Sequence, residues 1–198
     1  MAGTYPLAVV GFETVNFKIN TPTLVTETMV GKKRRVGMGV SFYTFSARYS
    51  NVTAYDMGEV IGFIARQYGP LESFQITLPR ISYTKSTNQT ATTVTTSGAA
   101  TTGQNSVGVS GVASGKELLK SGDYFKFANH SKVYMCVNDW TAGQPLFFSG
   151  SLVSDVPSGT QIVIDAVPFT VILDNEVQEY TVGYGGVSTM TVDFREVW

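Results

Sequence analysis

The sequence has one cysteine and one histidine among its 198 residues. A single cysteine, Cys136, excludes an internal disulfide framework and any zinc site built mainly from cysteine. His130 alone supplies one ligand or one base, whereas metal sites and catalytic triads need several groups. We therefore predict no metal, no cofactor and no enzymatic activity. We expect His130 to lie in a turn and Cys136 to be a small buried or half-buried strand residue.

Charge is also scarce, at 15% of residues against about 25% in typical globular chains. The net charge of −1 gives no overall attraction for nucleic acid or an anionic membrane. No apolar run approaches the ~20 residues of a membrane helix, and the N-terminus lacks the basic region of a secretory signal. We expect synthesis in a reducing cytoplasm and no membrane contact. The glycosylation tripeptides at Asn51, Asn88 and Asn129 are then chance matches.

The sequence instead predicts mainly β-strands and one helix. The stretch 40–79 predicts a strand, a helix at about 53–68 and a second strand. Thr53 followed three residues later by Asp56 resembles a capping box at the helix start, and Gly69–Pro70 ends the helix. The predicted apolar stripe of this helix consists of Met57, Val60, Ile61, Ile64, Ala65 and Tyr68.

The remaining segments predict β-structure, because apolar and polar residues alternate between turns rich in Gly, Pro and Asn. The segment 24–49 predicts a hairpin with a basic turn at 31–39, and GYGG at 183–186 is a turn and not a phosphate loop. The Thr/Ser/Gly-rich segment 84–115 predicts weak strands, not a linker. The candidate strands are 15–19, 24–30, 40–49, 71–79, 91–96, 106–112, 124–127, 133–137, 144–150, 160–167, 167–174, 177–183 and 189–195.

A two-part organisation follows from the order of these elements. Residues 1–80 end on a strand that has no predicted pairing partner, and residues 167–198 supply strands but no helix. Pairing the two parts would remove exposed sheet edges. We therefore predict a discontinuous β-domain of residues 1–80 plus 167–198, interrupted by an inserted β-domain of residues 81–166.

Several stretches together resemble bacteriophage tail structural proteins of the distal-tail and tail-tube group. They are GKKRRV and the following block to ITLP within 31–79, GDYFKFANHSKVYM at 122–135, VPFTVILDNEVQEY at 167–180 and TMTVDFREVW at 189–198. The resemblance covers most of the chain except its Thr/Ser/Gly-rich segment. It implies a mainly β fold, a β-sandwich or barrel with one flanking helix, interrupted by a small inserted β-barrel.

The same resemblance implies a virion structural protein that is assembled in the host cytoplasm and forms a ring at the distal tail. The ring would be a cyclic homo-oligomer, a hexamer by resemblance, between other tail proteins, with DNA passing through it without specific binding. A tail-tube or connector subunit is an alternative within this class. A host-receptor or carbohydrate-binding module is the alternative of another class. The family defines no individual site residue for this chain.

The only dense charge cluster is Lys32, Lys33, Arg34 and Arg35. It has three possible roles, namely a solvated hairpin tip, a contact with acidic residues of a neighbouring subunit, or a contact with DNA phosphates. We retain the subunit contact as the functional hypothesis.

Aromatic residues at predicted strand ends are the other candidates, because aromatic side chains are enriched at interface centres. Tyr49 and Trp198 are predicted subunit contacts. Trp140, Phe147 and Phe148 are predicted partner contacts of the inserted domain, where they could also stack on sugars. Ordinary core or rim packing is the competing interpretation for all five residues, and for Tyr55 as well.

Overall fold

The computed structural model describes residues 3–6, 11–29, 31–37, 39–87 and 93–198. The chain is mainly β, as predicted. Asn88 and residues 91–92 of one predicted strand lie outside the described residues. The chain divides into two compact units, here called unit 1 and unit 2. Unit 1 comprises Met1–Ile19, Phe42–Thr77 and Phe169–Trp198, and unit 2 comprises Asn20–Ser41 and Leu78–Pro168. Residues 20–41, which the prediction assigned to the first domain, group with unit 2.

Unit 1 contains a six-stranded sheet and the α-helix. Its elements are β1 (Thr14–Asn20), β4 (Phe42–Thr53), α1 (Ala54–Arg66), a 3₁₀ turn (Gly69–Leu71), β5 (Phe74–Ile76), β15 (Phe169–Leu173), β16 (Tyr180–Val182) and β17 (Val187–Glu196). The strand order is β1-β4-β17-β15-β5, and β16 also pairs with β17. The N-terminal segment extends this sheet past β5, where the Tyr5 N–H donates to the Gln75 carbonyl at 2.8 Å. The predicted pairing of 24–30 with 40–49 is wrong, because both edges of β4 pair with other strands, one with β1 and the other with β17.

Helix α1 forms where its caps and its apolar face predict it. Thr53 Oγ1 accepts from the Asp56 N–H at 3.2 Å and donates to Asp56 Oδ2 at 2.7 Å. The helix ends at Arg66, two residues before the predicted end, and Tyr68 is in the left-handed region with φ 53°. Of the predicted apolar stripe, Ala65 and Tyr68 are exposed and Ile61 is only half-buried. The buried face consists of Met57, Val60, Phe63 and Ile64.

Aromatic side chains fill the core of unit 1. Phe45 and Phe194, on neighbouring strands, stack with ring centroids 4.9 Å apart. Tyr5 packs edge-on against Phe194, and its hydroxyl accepts a 2.9 Å hydrogen bond from the Tyr49 hydroxyl. Burial raises the pKa of both tyrosines, so both hydroxyls stay protonated. The prediction that Tyr49 contacts a neighbouring subunit is wrong, since its side chain is fully buried in this core.

Unit 2 is built from short strands around a second apolar core. Its strands are β2 (Thr23–Glu27), β3 (Lys33–Gly37), β6 (Thr95–Thr96), β7 (Ser106–Val107), β8 (Val109–Ser110), β9 (Glu117–Leu119), β10 (Tyr124–Phe127), β11 (Val133–Met135), β12 (Trp140–Thr141), β13 (Leu146–Phe147) and β14 (Ile162–Val163). β10 pairs with β11 and β14, and the other pairs are β9–β12, β7–β13, β6–β8 and β2–β3. The core includes Leu118, Phe125, Phe127, Tyr134, Trp140, Leu146 and Phe148. The Thr/Ser/Gly-rich segment therefore forms weak strands, each shorter than predicted.

A buried carboxylate fixes two segments of unit 2 against each other. Asp123 Oδ2 accepts from the Thr84 hydroxyl at 2.7 Å, the Lys120 N–H at 2.8 Å and the Lys85 N–H at 3.1 Å. Lys85 Nζ lies 3.4 Å from the other carboxylate oxygen. The side chain of Asp123 is fully buried, so the three donors replace the hydration of Oδ2, whereas Oδ1 has no hydrogen-bond partner among the described residues and only the ion pair with Lys85.

Replacing Thr53 with alanine should lower the free energy of unfolding by about 1 kcal/mol, because the substitution removes the hydroxyl that caps α1. Thr53→Ser, which keeps the hydroxyl, should lose clearly less. Urea denaturation of both variants measures the difference. Equal losses in the two variants would show that the cap hydrogen bond does not stabilise the helix.

Replacing Asp123 with asparagine should destabilise the protein by about 2–3 kcal/mol, because a hydrogen bond to a buried charged group is stronger than one to a neutral amide. Asp155→Asn is the matched control. Asp155 accepts two hydrogen bonds where Asp123 accepts three, from the Thr102 N–H at 2.7 Å and the Thr102 hydroxyl at 2.8 Å, but it is solvent-exposed. The control should lose less stability in the same denaturation experiment, and a loss as large as that of Asp123→Asn would contradict the argument from burial.

Candidate interaction surfaces

The first candidate surface is the hairpin of β2 and β3, Thr23–Gly37, here called the basic hairpin. Its two strands are paired from Thr23↔Gly37 to Glu27↔Lys33. Thr28 closes the turn, because its hydroxyl accepts from the Lys32 N–H at 3.2 Å and its carbonyl from the Gly31 N–H at 2.8 Å. Every described residue of the hairpin is exposed. Neither face is therefore covered by the described part of the chain.

The four basic residues lie on this hairpin, and three of them are strand residues. Lys33, Arg34 and Arg35 belong to β3, and Lys32 directly precedes it, so the predicted basic turn is largely a strand. Strand alternation sends Arg34 to one face and its two neighbours to the other. Among the described residues, no carboxylate lies within ion-pairing distance of these four cations.

The basic hairpin also exposes aliphatic side chains on both faces. Leu24 opposes Val36 on one face, and Val25 opposes Arg35 on the other. The three aliphatic side chains are between 54% and 62% exposed. A two-stranded hairpin whose side chains do not pack against other elements is only marginally stable in water. Its composition therefore suits a surface that is covered by a partner.

A second surface lies at the edge of the unit 1 sheet. The segment that connects β15 to β16 contains Asp174, Glu176 and Glu179, and all three carboxylates are exposed. We call this segment together with β16, residues 174–182, the acidic edge. A groove of about 270 Å³ runs beside it, lined by Ile61, Ile64, Ala65, Gly69, Leu173, Glu176, Gln178, Tyr180 and Met190. The residues of the acidic edge were not among the sites predicted from the sequence.

The C-terminal tryptophan lies beside a third, smaller groove. Trp198 is 51% exposed and lines a groove of about 250 Å³ together with Phe42, Arg195 and Val197. The Arg195 guanidinium lies 4.8 Å from the centre of the Phe42 ring. The position of Trp198 is thus compatible with the predicted subunit contact.

Trp140 and Phe147 line one groove of unit 2, but of the three aromatic residues predicted there as partner contacts only Phe147 is exposed. Trp140 and Phe148 are buried, and the indole N–H of Trp140 donates to the Gln144 carbonyl at 2.9 Å. Phe147 is 43% exposed at a groove of about 160 Å³. The prediction for Trp140 and Phe148 is wrong, since both rings pack in the core and only Phe147 could stack on a sugar.

Comparisons with known proteins add no family assignment. A scan against protein-family models found no match. A search of curated proteins found no significant match.

No helix in the described ranges is long and apolar enough to cross a bilayer. No group of three or more His, Cys, Asp or Glu side chains that could hold a metal ion occurs among the same residues.

The cysteine thiol is buried and weakly acidic. Cys136 donates to the Asn138 carbonyl at 2.8 Å, and burial raises the pKa of its thiol to about 11. Since the thiolate is the nucleophilic form, this residue is a poor nucleophile at neutral pH. Its burial agrees with the structural role expected from the sequence.

The histidine is held neutral by its surroundings. His130 lies in the turn between β10 and β11, as predicted, with its ring near Phe127 and Tyr134. Both ring nitrogens are buried and have no hydrogen-bond partner among the described residues. Burial, together with the charges of Lys126 and Lys132, lowers the pKa of His130 to about 4.

This pKa makes the stability of the protein depend on pH. Between pH 6.5 and about 4 the unfolded chain binds a proton at His130 and the folded chain does not, so stability should fall as the pH is lowered. Because the chain has a single histidine, its imidazole NMR signals can be assigned without ambiguity. We expect them to titrate near pH 4, and His130→Gln should flatten the pH dependence of the melting temperature across this interval. A titration midpoint near 6.5 would contradict this assignment.

Proposed function

We propose that this chain is a structural subunit of a bacteriophage tail that forms a ring at the distal end, as a hub between the tube and the tail tip. The observation that carries the proposal is the basic hairpin, whose aliphatic and cationic side chains are exposed on both faces. A subunit that is complete only in an assembly needs such a surface. The resemblance of several stretches to tail proteins supports the same role.

The architecture supports the finer fold that this role implies. In the proposal, unit 1 is a β-sandwich or barrel with α1 as its single flanking helix, and unit 2 contains a small inserted β-barrel. The support is the six-stranded sheet with one helix in unit 1 and the short strands around a separate core in unit 2. Both units bring together segments that are distant in sequence.

Assembly follows from the type of contact that the basic hairpin can make. The hairpin is not self-complementary in charge, so it should bind a different surface of its neighbour, and such head-to-tail contacts generate closed rings or helical filaments. We propose a cyclic homo-oligomer, a hexamer by resemblance, located in the virion tail after assembly in the host cytoplasm. Other tail proteins would contact it, and DNA would pass through it without specific binding.

A tail-tube or connector subunit remains the second proposal of the same class. The two differ in copy number, because a tube subunit stacks on itself many times and a hub stops at one ring. The carbohydrate-binding alternative is weaker, since two of its three predicted aromatic contacts are buried.

Shortening the basic hairpin tests the proposal. Thr23 and Gly37 are cross-strand partners, so residues 24–36 can be replaced by two glycines without separating the flanking chain. The variant should keep its circular dichroism spectrum but remain monomeric in light scattering and fail to enter tail particles. Assembly of the shortened variant at the wild-type level would contradict the role given to the hairpin.

Electron microscopy of tails containing a labelled wild-type chain distinguishes the proposed roles. One ring of label at the distal end supports the hub, and label along the whole tail supports the tube subunit. A wild-type chain that never enters tail particles and stays monomeric at high concentration would overturn the proposed function.

A further inference from the structure

The basic hairpin and the acidic edge carry opposite and unpaired charges. The hairpin has four cations and one carboxylate, Glu27, which gives a charge of +3. The acidic edge has three carboxylates and no cation, which gives −3, and the next basic residue along the chain is Arg195. Among the described residues, none of these three carboxylates forms an ion pair.

Both surfaces also expose apolar side chains. On the acidic edge, Val177 is 80% exposed, and Tyr180 and Val182 are each about half exposed. The adjacent groove of about 270 Å³ is lined by aliphatic residues of α1 on one side and by Tyr180 of β16 on the other. Aliphatic side chains such as Leu24 and Val36 of the hairpin match this lining in chemistry. Opposite charge and apolar area are therefore available together on both surfaces.

The backbone of the acidic edge is available as well. Among the described strands, β16 pairs only with β17, so its second edge carries unpaired backbone groups. An incoming strand can hydrogen-bond to such an edge. The strands of the basic hairpin, five residues each, are long enough to cover the three residues of β16.

The other grooves are poorer receptors for a cationic hairpin. The groove at Trp198 exposes the cation Arg195, whereas its one carboxylate, Glu196, is buried. The groove at Phe147 contains Asp139, whose carboxylate already lies 3.2 Å from Lys120 Nζ. The groove on the opposite face of the acidic edge is lined by the cation Arg48. The guanidinium of Arg48 lies 3.7 Å from a carboxylate oxygen of Glu13.

We propose that the acidic edge of one copy receives the basic hairpin of a second copy, an inference that rests on the proposed ring-forming function. Since the two surfaces differ, each copy offers one hairpin and one edge, and the contact propagates around the assembly. Salt should weaken it, because the paired charges lie at the surface.

Complementary charge reversals test this contact. The hairpin-reversed variant carries Lys33→Glu, Arg34→Glu and Arg35→Glu, and the edge-reversed variant carries Asp174→Lys, Glu176→Lys and Glu179→Lys. All six side chains are exposed, so both variants should fold. Each variant alone should self-associate at least 100-fold more weakly than the wild type in analytical ultracentrifugation. An equimolar mixture should assemble again, with the two variants alternating, because each hairpin then meets an edge of opposite charge.

A matched control reverses three exposed cations elsewhere, Lys18→Glu, Arg80→Glu and Lys116→Glu, and should assemble like the wild type. If either reversed variant loses its circular dichroism spectrum, the contact is tested instead with the neutralised edge variant Glu176→Gln with Glu179→Gln. This variant should assemble more weakly than the wild type, and its assembly should depend less on salt. Reversed variants that assemble and enter tails like the wild type would overturn the docking site without contradicting the proposed ring. A mixture that stays monomeric while the wild type assembles would do the same. Absence of the wild-type chain from tails would instead count against the proposed function.

Discussion

Strand β17 is the element on which unit 1 depends, because it pairs along both of its edges. One edge pairs with β4 and the other with β15 and β16. Its residue Phe194 stacks on Phe45 and packs against Tyr5, so the pairing and the aromatic core form together. Loop-closure entropy grows only slowly with loop length, which allows a long insertion between β5 and β15. The same topology makes the decisive contacts non-local, and a fold of this kind forms slowly.

The two units are stabilised by different means. Unit 1 has long strands whose alternate side chains build an aromatic core. Unit 2 has strands of two to five residues, which supply few ladder hydrogen bonds, so polar side chains bond to the backbone instead. Asp123 accepts two backbone N–H groups, and Thr96 donates to the Pro157 carbonyl while accepting from the Thr160 N–H. A Thr- and Ser-rich segment can therefore be ordered without strong hydrophobic periodicity.

The sequence predicted α1 and the long strands because their periodicity and caps are local signals. The burial of Tyr49 could also be predicted from the sequence, since Tyr49 shares one face of its strand with Tyr43, Phe45 and Ala47, all of which are buried. Trp140 lies in a two-residue strand and Phe148 directly follows another, and periodicity over so few residues is too brief to assign a face. The acidic edge was missed because its proposed docking role depends on an unpaired strand edge and a neighbouring helix groove, which only the fold brings together. Its sequence signal was the absence of lysine and arginine between 174 and 194.

The basic hairpin connects stability with assembly. A hairpin exposed on both faces gains little from burial in the monomer, and it can gain apolar contact, ion pairs and backbone hydrogen bonds only from a partner. Its cations repel those of another hairpin, which disfavours symmetric pairing of two hairpins and favours contact with a surface of opposite charge. Whether copies joined in this way close into one ring or continue as a filament then depends on the rotation between successive copies. In the proposed assembly, the choice between hub and tube is thus a matter of interface geometry, and the same hairpin chemistry would serve either one.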